Sequence, residues 1–369
     1  MKTRNQPINR RRIAPLGCLA ALCFALAPLS ACAAESDVQA VAENERVQAI
    51  DAAKAKLNEM GFKGVIAVAW DGETPSYAGF GDIIATSGLP DAETLVDIAS
   101  ITKTITGAAA MTLVDQGKLS MADRLGDYFP DAPADKIGIT VHQLLTHSAG
   151  FGHAVGRDHD YLSKEEFLKR AMADPLLFEP GSAYEYSNVG FSLVAAIIET
   201  LSEKSYEDFI REDLLGSLDD RGIGYEAAFD AERSILTKGG ETIDLASWGG
   251  RSHWTLIGNG GLVASARDMI AFLRAYEGGA LHSRAAIELS HAPMVREGEN
   301  APSHYGYGLV VENHPQFGRT YWHNGGSRDF TANWTHYADH GLIVFTASNG
   351  TEVDADSAAM IIAKSLLRK

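Results

Sequence analysis

The stretch Asp97-Ile98-Ala99-Ser100-Ile101-Thr102-Lys103 runs directly into Thr104–Val114, a segment apolar at helical spacing until Gly117 stops it. A helix that apolar is stable only when wedged into a core, and the polar groups at its mouth go in with it. Ser100 would there stand beside unpaired backbone N–H groups at the positive end of the helix dipole. Lys103, three residues on, falls on the same face one turn away. Partial desolvation lowers the pKa of such an ammonium and lets the amine act as a base. A hydroxyl with a base in reach is an activated nucleophile. Taken alone, Ser-x-x-Lys more readily describes an N-capping serine followed by a solvated lysine, and about one match arises by chance in a chain this long.

The N-terminus reads as an address. Lys2, Arg4, Arg10, Arg11 and Arg12 precede the apolar run Ile13–Leu29, and small residues follow. Pro15 and Pro28 interrupt the run, and no stop-transfer pattern comes after it. That favours a cleaved signal over residues 1–31 rather than a lasting membrane span. Leu29-Ser30-Ala31-Cys32 resembles a bacterial lipobox, which would make Cys32 a lipidation site and the mature N-terminus. Ala31-Cys32-Ala33 also fits ordinary cleavage after Ala33 or Ala34. Residues 32–45 read as a tether leading into a helix near Arg46–Met60. The expectation is an exported, periplasmic protein that meets the membrane only through an N-terminal lipid anchor.

Cysteine usage agrees with export. Cys18, Cys23 and Cys32 are the only cysteines, so the folded body has no disulfide, thiolate nucleophile or cysteine metal site. Removing the five basic residues of the first 31 takes the formal charge from −16 to −21. Such an acidic body argues against nucleic acid and against electrostatic adhesion to anionic lipid, and solubility explains it.

With 369 residues and 46% hydrophobic content, the chain can bury a large core as one domain of two lobes or as two small domains. Folded structure begins with a hairpin: Val65–Trp70, a turn at Asp71-Gly72, then Tyr77–Gly81. The Ser100 helix is next. A short helix runs from Thr140, Ser163-Lys164-Glu165-Glu166 opens another as a capping box, and helices follow at Val189–Leu201 and Tyr206–Leu215. Residues 216–260 read as a long irregular connection. Strands return at Gly308–Val311, Thr320–His323, Phe330–His336 and Leu342–Thr346, and a helix from Ala355 to Leu367 closes the chain. This order predicts an α+β fold, an antiparallel sheet covered by helices beside a mostly helical lobe at roughly 136–300.

Three motifs in sequence order resemble those of the serine β-lactamase and penicillin-binding superfamily. The branch is that of class C β-lactamases, D,D-carboxypeptidases, D-aminopeptidases and β-lactamase-like esterases. The motifs are Ser100-Ile101-Thr102-Lys103, Tyr186-Ser187-Asn188 and His323-Asn324-Gly325. Leu144–Gly150, Pro180-Gly181 and Gly260–Asp268 match as ancillary segments, so the likeness covers roughly residues 46–369. The resemblance implies a β-lactamase/transpeptidase-like fold and a metal-free, cofactor-free acyl-enzyme mechanism. Ser100 would attack a carbonyl. Lys103 would take its proton or keep Tyr186 ionised. Tyr186, acidified by the nearby ammonium, would shuttle the proton to the leaving group and later activate water. Asn188 would bind the substrate amide or hold Lys103. The N–H groups of Ser100 and Gly326, past Gly325, would bind the oxyanion.

At His323 many relatives carry lysine, a permanent charge for a substrate carboxylate. A histidine is mostly neutral above pH ~6.5, so carboxylate recognition through its imidazolium would be weaker and pH-dependent. That leaves esters and D-amino-acid peptides open beside β-lactams. His147 reads as structural. His153, Asp158, His159 and Asp160 lack a recognised metal-ligand spacing. No Gly-x-Ser-x-Gly elbow, His-Glu-x-x-His helix or phosphate loop is present. Two classes of function remain: a serine hydrolase acting on a small-molecule or peptide substrate, and a penicillin- or peptidoglycan-peptide-binding sensor without turnover.

Overall fold

The computed structural model describes residues 29–81, 89–158, 160–218, 222–225, 237–238, 241–242, 253–328, 330–350 and 352–367, with side chains from Asn44 onward except at 237–242. Residues 1–28 of the expected signal and the side chain of Cys32 lie outside it. The chain divides into units Met1–Val47 and Gln48–Lys369.

Helix α1 (Leu29–Glu59) is followed by strands β1 (Gly64–Trp70), β2 (Ser76–Phe80) and β3 (Leu95–Asp97). A 3₁₀ turn at Ala99–Ile101 leads into α2 (Thr102–Asp115). The helices α3 (Leu125–Tyr128), α4 (Val141–Leu145), α5 (Lys164–Ala173), α6 (Asn188–Ser202) and α7 (Tyr206–Phe209) follow. Three short strands come next, β4 (Ile223–Tyr225), β5 (Thr237–Lys238) and β6 (Glu241–Thr242), and then β7 (Leu262–Ser265), α8 (Ala266–Glu277) and α9 (Arg284–Ser290). The C-terminal part holds β8 (Val295–Arg296), β9 (His304–Tyr305), β10 (Val310–His314), β11 (Gly318–Gly326), β12 (Thr331–Tyr337), β13 (Leu342–Ser348) and α10 (Ala355–Leu366).

Eight strands form one antiparallel sheet in the order β2-β1-β13-β12-β11-β10-β9-β8, so the first hairpin completes a sheet built mainly from the end of the chain. The fold is α+β, as the order of elements implied. β1 reads Gly-Val-Ile-Ala-Val-Ala-Trp because both its faces are covered. Val65, Ala67 and Ala69 join Met269, Ile270 and Leu273 of α8 in one core. Ile66, Val68 and Trp70 join Leu57 of α1 and Ala359 and Ile362 of α10 in the other.

Helix α2 threads the first core, with every residue from Thr102 to Met111 buried. It touches the chain before β10 almost backbone to backbone. A Cβ on Gly107 would lie 2.1 Å from Tyr307 O, and one on Gly308 2.2 Å from Lys103 O. Thr104 Oγ1 donates to Gly308 O at 2.7 Å and accepts Trp334 Nε1–H at 3.0 Å, tying the helix to β12.

Two expectations shift. The helix placed at Arg46–Met60 begins at Leu29, because no Gly or Pro breaks a run rich in Ala, Glu and Gln. A second antiparallel sheet, β3-β7-β4, supports the start of α2 and went unread, its strands being three or four residues long.

A buried charge cluster gives a testable consequence. Glu277 Oε1 accepts His291 Nε2–H at 3.0 Å and Oε2 accepts His336 Nδ1–H at 2.7 Å, all three side chains nearly enclosed. Burial opposes ionisation of Glu277, but the two histidines outweigh it and hold the carboxyl at about 2 against an ordinary 4.5. A depressed carboxyl contributes stability above its unfolded value, lost as pH falls through the folded one. Glu277→Gln should therefore lower Tm at neutral pH, and the gap to wild type should close between about pH 4.5 and 2. A gap independent of pH, by scanning calorimetry, would contradict this.

Candidate active site

Asp97 ends β3, and its Oδ1 accepts the Ala99 N–H at 2.7 Å. Ala99 sits at φ 43, in the left-handed region that non-glycine residues rarely occupy. The Ile98 N–H donates to Leu262 O at 3.1 Å, so both flanks of the strained residue are held. The chain thereby turns Ser100 out at the head of α2.

Lys103 is completely buried. Its Nζ is in hydrogen-bond contact with Ser100 Oγ at 3.1 Å and donates to Asn259 O at 2.7 Å. It lies 4.8 Å from the Tyr186 ring centroid and 5.8 Å from that of Phe191. Burial lowers the Lys103 pKa well below its ordinary value, with the Asp158 carboxylate pulling the other way. Burial shifts the balance toward the amine.

The sequence-based expectation for Tyr186 requires correction. Its phenol contacts Ser100, but burial pushes its pKa up, the Ser100 bond opposes, and Glu297 adds to the rise. Lys103 is not among the groups that lower it. Burial thus disfavours both the ammonium and the phenolate beside Ser100.

Asn188 opens α6 two residues past Tyr186, and its N–H donates to His153 O at 2.7 Å. Its Oδ1 is buried without a hydrogen-bond partner, so it does not hold Lys103. Asn259 takes that place, and it went unread inside the stretch taken as irregular connection. Its Nδ2 donates to Ser192 Oγ at 2.8 Å and Thr255 O at 2.9 Å, between Gly258 at φ +77 and Gly261 at φ +75. The Gly258-Asn259-Gly260-Gly261 run was the available signal: a loop forced through left-handed conformations to deliver a carbonyl.

His147 is buried at φ 58, its Nδ1 accepting the Ser187 N–H at 3.0 Å. Its ring packs on Tyr186 at 4.3 Å and Tyr305 at 4.4 Å, so it positions the Tyr186 segment.

His323 lies on β11, facing Lys103 and Tyr186 and nearly enclosed at 2% exposure. Nδ1–H donates to Asn324 O at 2.6 Å, and Nε2 accepts the Tyr305 hydroxyl at 2.8 Å. Burial, with Lys103 second, lowers its pKa to about 3, against the opposing Asn324 bond. The ring, already expected to be mostly neutral above pH ~6.5, is held neutral further down, and both nitrogens are engaged.

Gly325 is where β11 meets the serine turn. A Cβ there would lie 2.3 Å from Ile98 O and 3.0 Å from Ser100 N, whereas one on Gly326 would meet nothing within 4 Å. Gly325→Ala should force the strand and the turn apart, and about 1 Å of misplacement costs on the order of 10²-fold in rate. Overpacking should cost about 1–3 kcal/mol of stability, and Gly326→Ala should cost much less stability. Equal melting temperatures for the two variants would contradict the contact.

Ser100, Lys103, Tyr186, His323 and Gly325 thus converge from the turn into α2, the first turn of α2, the segment leading into α6, and β11. Among the described residues no group of His, Cys, Asp or Glu could hold a metal ion. Of the loop cluster considered in the sequence, His159 lies outside the described residues.

Comparison with known proteins agrees with this architecture. The family profile for Beta-lactamase matches residues 48–367. Penicillin-binding protein 4* of Bacillus subtilis (strain 168) is 26% identical over 317 residues, covering 79% of this chain and 69% of that protein. The octameric penicillin-binding protein homologue from Pyrococcus abyssi superposes with TM-score 0.72 at 23% identity, over 87% of this chain and 77% of the other. The D-amino acid amidase from Ochrobactrum anthropi SV3 complexed with L-phenylalanine gives TM-score 0.70 at 19% identity, over 86% and 97%.

Proposed function

Because the chain belongs to the β-lactamase family, we propose that it is a serine hydrolase that cleaves ester or amide bonds through an acyl-enzyme on Ser100. The contact between Ser100 Oγ and the fully buried Lys103 amine, at 3.1 Å, carries this reading. As Oγ attacks the carbonyl, the amine lone pair takes its proton and Lys103 becomes an ammonium. The oxyanion faces the N–H groups of Ser100 and Gly326. Collapse of the tetrahedral intermediate expels the leaving group, which takes the Tyr186 proton, and the Lys103 ammonium restores that proton to the phenol. Water then repeats the sequence on the acyl-enzyme, returning the proton to Ser100. Asn188 Oδ1, a buried acceptor without a partner, suits a substrate N–H. The penicillin-binding relative and the amidase among the structural neighbours support an amide substrate.

A panel of p-nitrophenyl esters, D-alanyl-D-alanine peptides and a chromogenic cephalosporin tests the reading. Steady-state turnover of at least one, inhibited by a serine-reactive phosphonate, is expected. A stoichiometric burst without turnover on every member would identify a binding protein instead.

We extend the reading to export with Cys32 as lipid anchor, on the sequence pattern alone. In a bacterial host the wild type should partition with membranes, and Cys32→Ser should release it or leave it unprocessed. A wild type wholly soluble in the periplasm would contradict this.

A further inference from the structure

We propose that the cleft on the face of β11 turned away from Ser100 is a second binding site, one that takes a small organic cation such as a quaternary ammonium compound. It stands apart from the serine-hydrolase reading.

Successive side chains of β11 alternate between two faces. His323 and Gly325 take the face that meets Tyr186 and the serine turn. Thr320, Trp322 and Asn324 take the other, where they line a cleft of about 270 Å³. Helix α10 supplies one wall with Asp356, Ala359 and Met360, spaced three and four residues apart on one helical face. The turn between β10 and β11 supplies Phe317. Ligand pockets commonly measure roughly 300–1,000 Å³, so the occupant is small.

The lining combines three aromatic side chains, Phe317, Trp322 and Tyr337, with two carboxylates, Glu312 and Asp356. Strand register brings them together: Glu312, Thr320 and Tyr337 form one cross-strand row, and Trp322 lies in the next, beside Thr335. The cleft is also preorganised. Phe317 packs edge-on against Tyr337 at 5.4 Å and stacks on His314 at 4.6 Å. Asp356 Oδ2 accepts Asn324 Nδ2–H at 3.0 Å and Oδ1 accepts Asn333 Nδ2–H at 2.8 Å, which fixes its charge over the strands. Little ordering is left for a ligand to impose.

Charge decides the class of occupant. Aromatic faces attract cations through the ring quadrupole, and carboxylates attract them directly. An anion would meet two like charges, and a neutral apolar molecule would desolvate both carboxylates without pairing either. A cation carrying a short apolar body satisfies rings and carboxylates together. The formal charge of −16 favours its approach.

The experiment titrates the protein by calorimetry with choline and with 3,3-dimethylbutan-1-ol, its uncharged isostere. Choline should bind at one site about tenfold more tightly than the alcohol. Glu312→Gln and Trp322→Leu should each weaken choline about threefold to tenfold, while Glu288→Gln, at an exposed carboxylate of α9 outside the cleft, should not. Glu312 is only partly buried, so its variant still decides the matter where Trp322→Leu disturbs the strand. No binding of choline, equal affinity for the two compounds, or choline binding that Glu312→Gln leaves intact overturns the proposal.

Discussion

Ser100→Ala should reduce turnover of any accepted ester or amide by on the order of 10⁴-fold or more while the protein stays folded. The size of the loss follows from the covalent route: without Oγ there is no acyl-enzyme, and only binding and oxyanion contacts remain. Fold retention follows from the local geometry. The serine turn is held by Asp97 Oδ1 on the Ala99 N–H and by the Ile98 N–H on Leu262 O, neither of which involves the hydroxyl. Lys103 keeps Asn259 O as a partner, so no buried amine is stranded. The check is kcat on a p-nitrophenyl ester beside a thermal melt. Residual activity above about one per cent with an unchanged melt would remove Ser100 from the chemistry.

Lys103→Met should slow acylation by about 10²–10⁴-fold, the usual worth of a placed general base. Methionine preserves most of the buried stem and removes the lone pair, so the loss is chemical more than steric. It also leaves Asn259 O without its donor, a destabilisation of about 1–3 kcal/mol. The pH dependence has a definite sign. Only the amine accepts the Ser100 proton, so the rate should fall as pH drops through the Lys103 pKa. Burial places that limb below the ordinary lysine value of 10.5. With its pKa held at about 3, His323 should add no step between about pH 5 and 9, and His323→Gln should change the rate by a constant factor across that range. A limb near pH 6.5 that disappears in His323→Gln would reinstate the imidazolium.

Much of this was legible in the chain. The fold class came from the order of elements, and the hairpin, α5, α6 and the C-terminal strands came from period and capping. Ser163, for instance, caps α5 by accepting the Glu166 N–H. The convergence of Ser100, Lys103, Tyr186 and His323 followed from motif order. Protonation states did not, because they depend on enclosure. The lowered pKa of Lys103 was legible from its place in an apolar helix, but the expectation that it acidifies Tyr186 was not met, because burial of the phenol raises its pKa instead. His323 shows the same limit: its spacing marked it out, but only the tertiary contacts with Tyr305 and Asn324 show that both nitrogens are spent. Asn259 was missed because it contributes a carbonyl, which leaves no side-chain pattern to read. The sheet β3-β7-β4 was missed because three-residue strands have no measurable alternation.

The most direct test is rapid quenching of the enzyme with a slow ester substrate, followed by peptide mass mapping. One added acyl mass is expected, on the peptide containing Ser100, appearing within a single turnover and absent from Ser100→Ala. An acyl mass on any other residue, or turnover with no covalent adduct at any quench time, would contradict it.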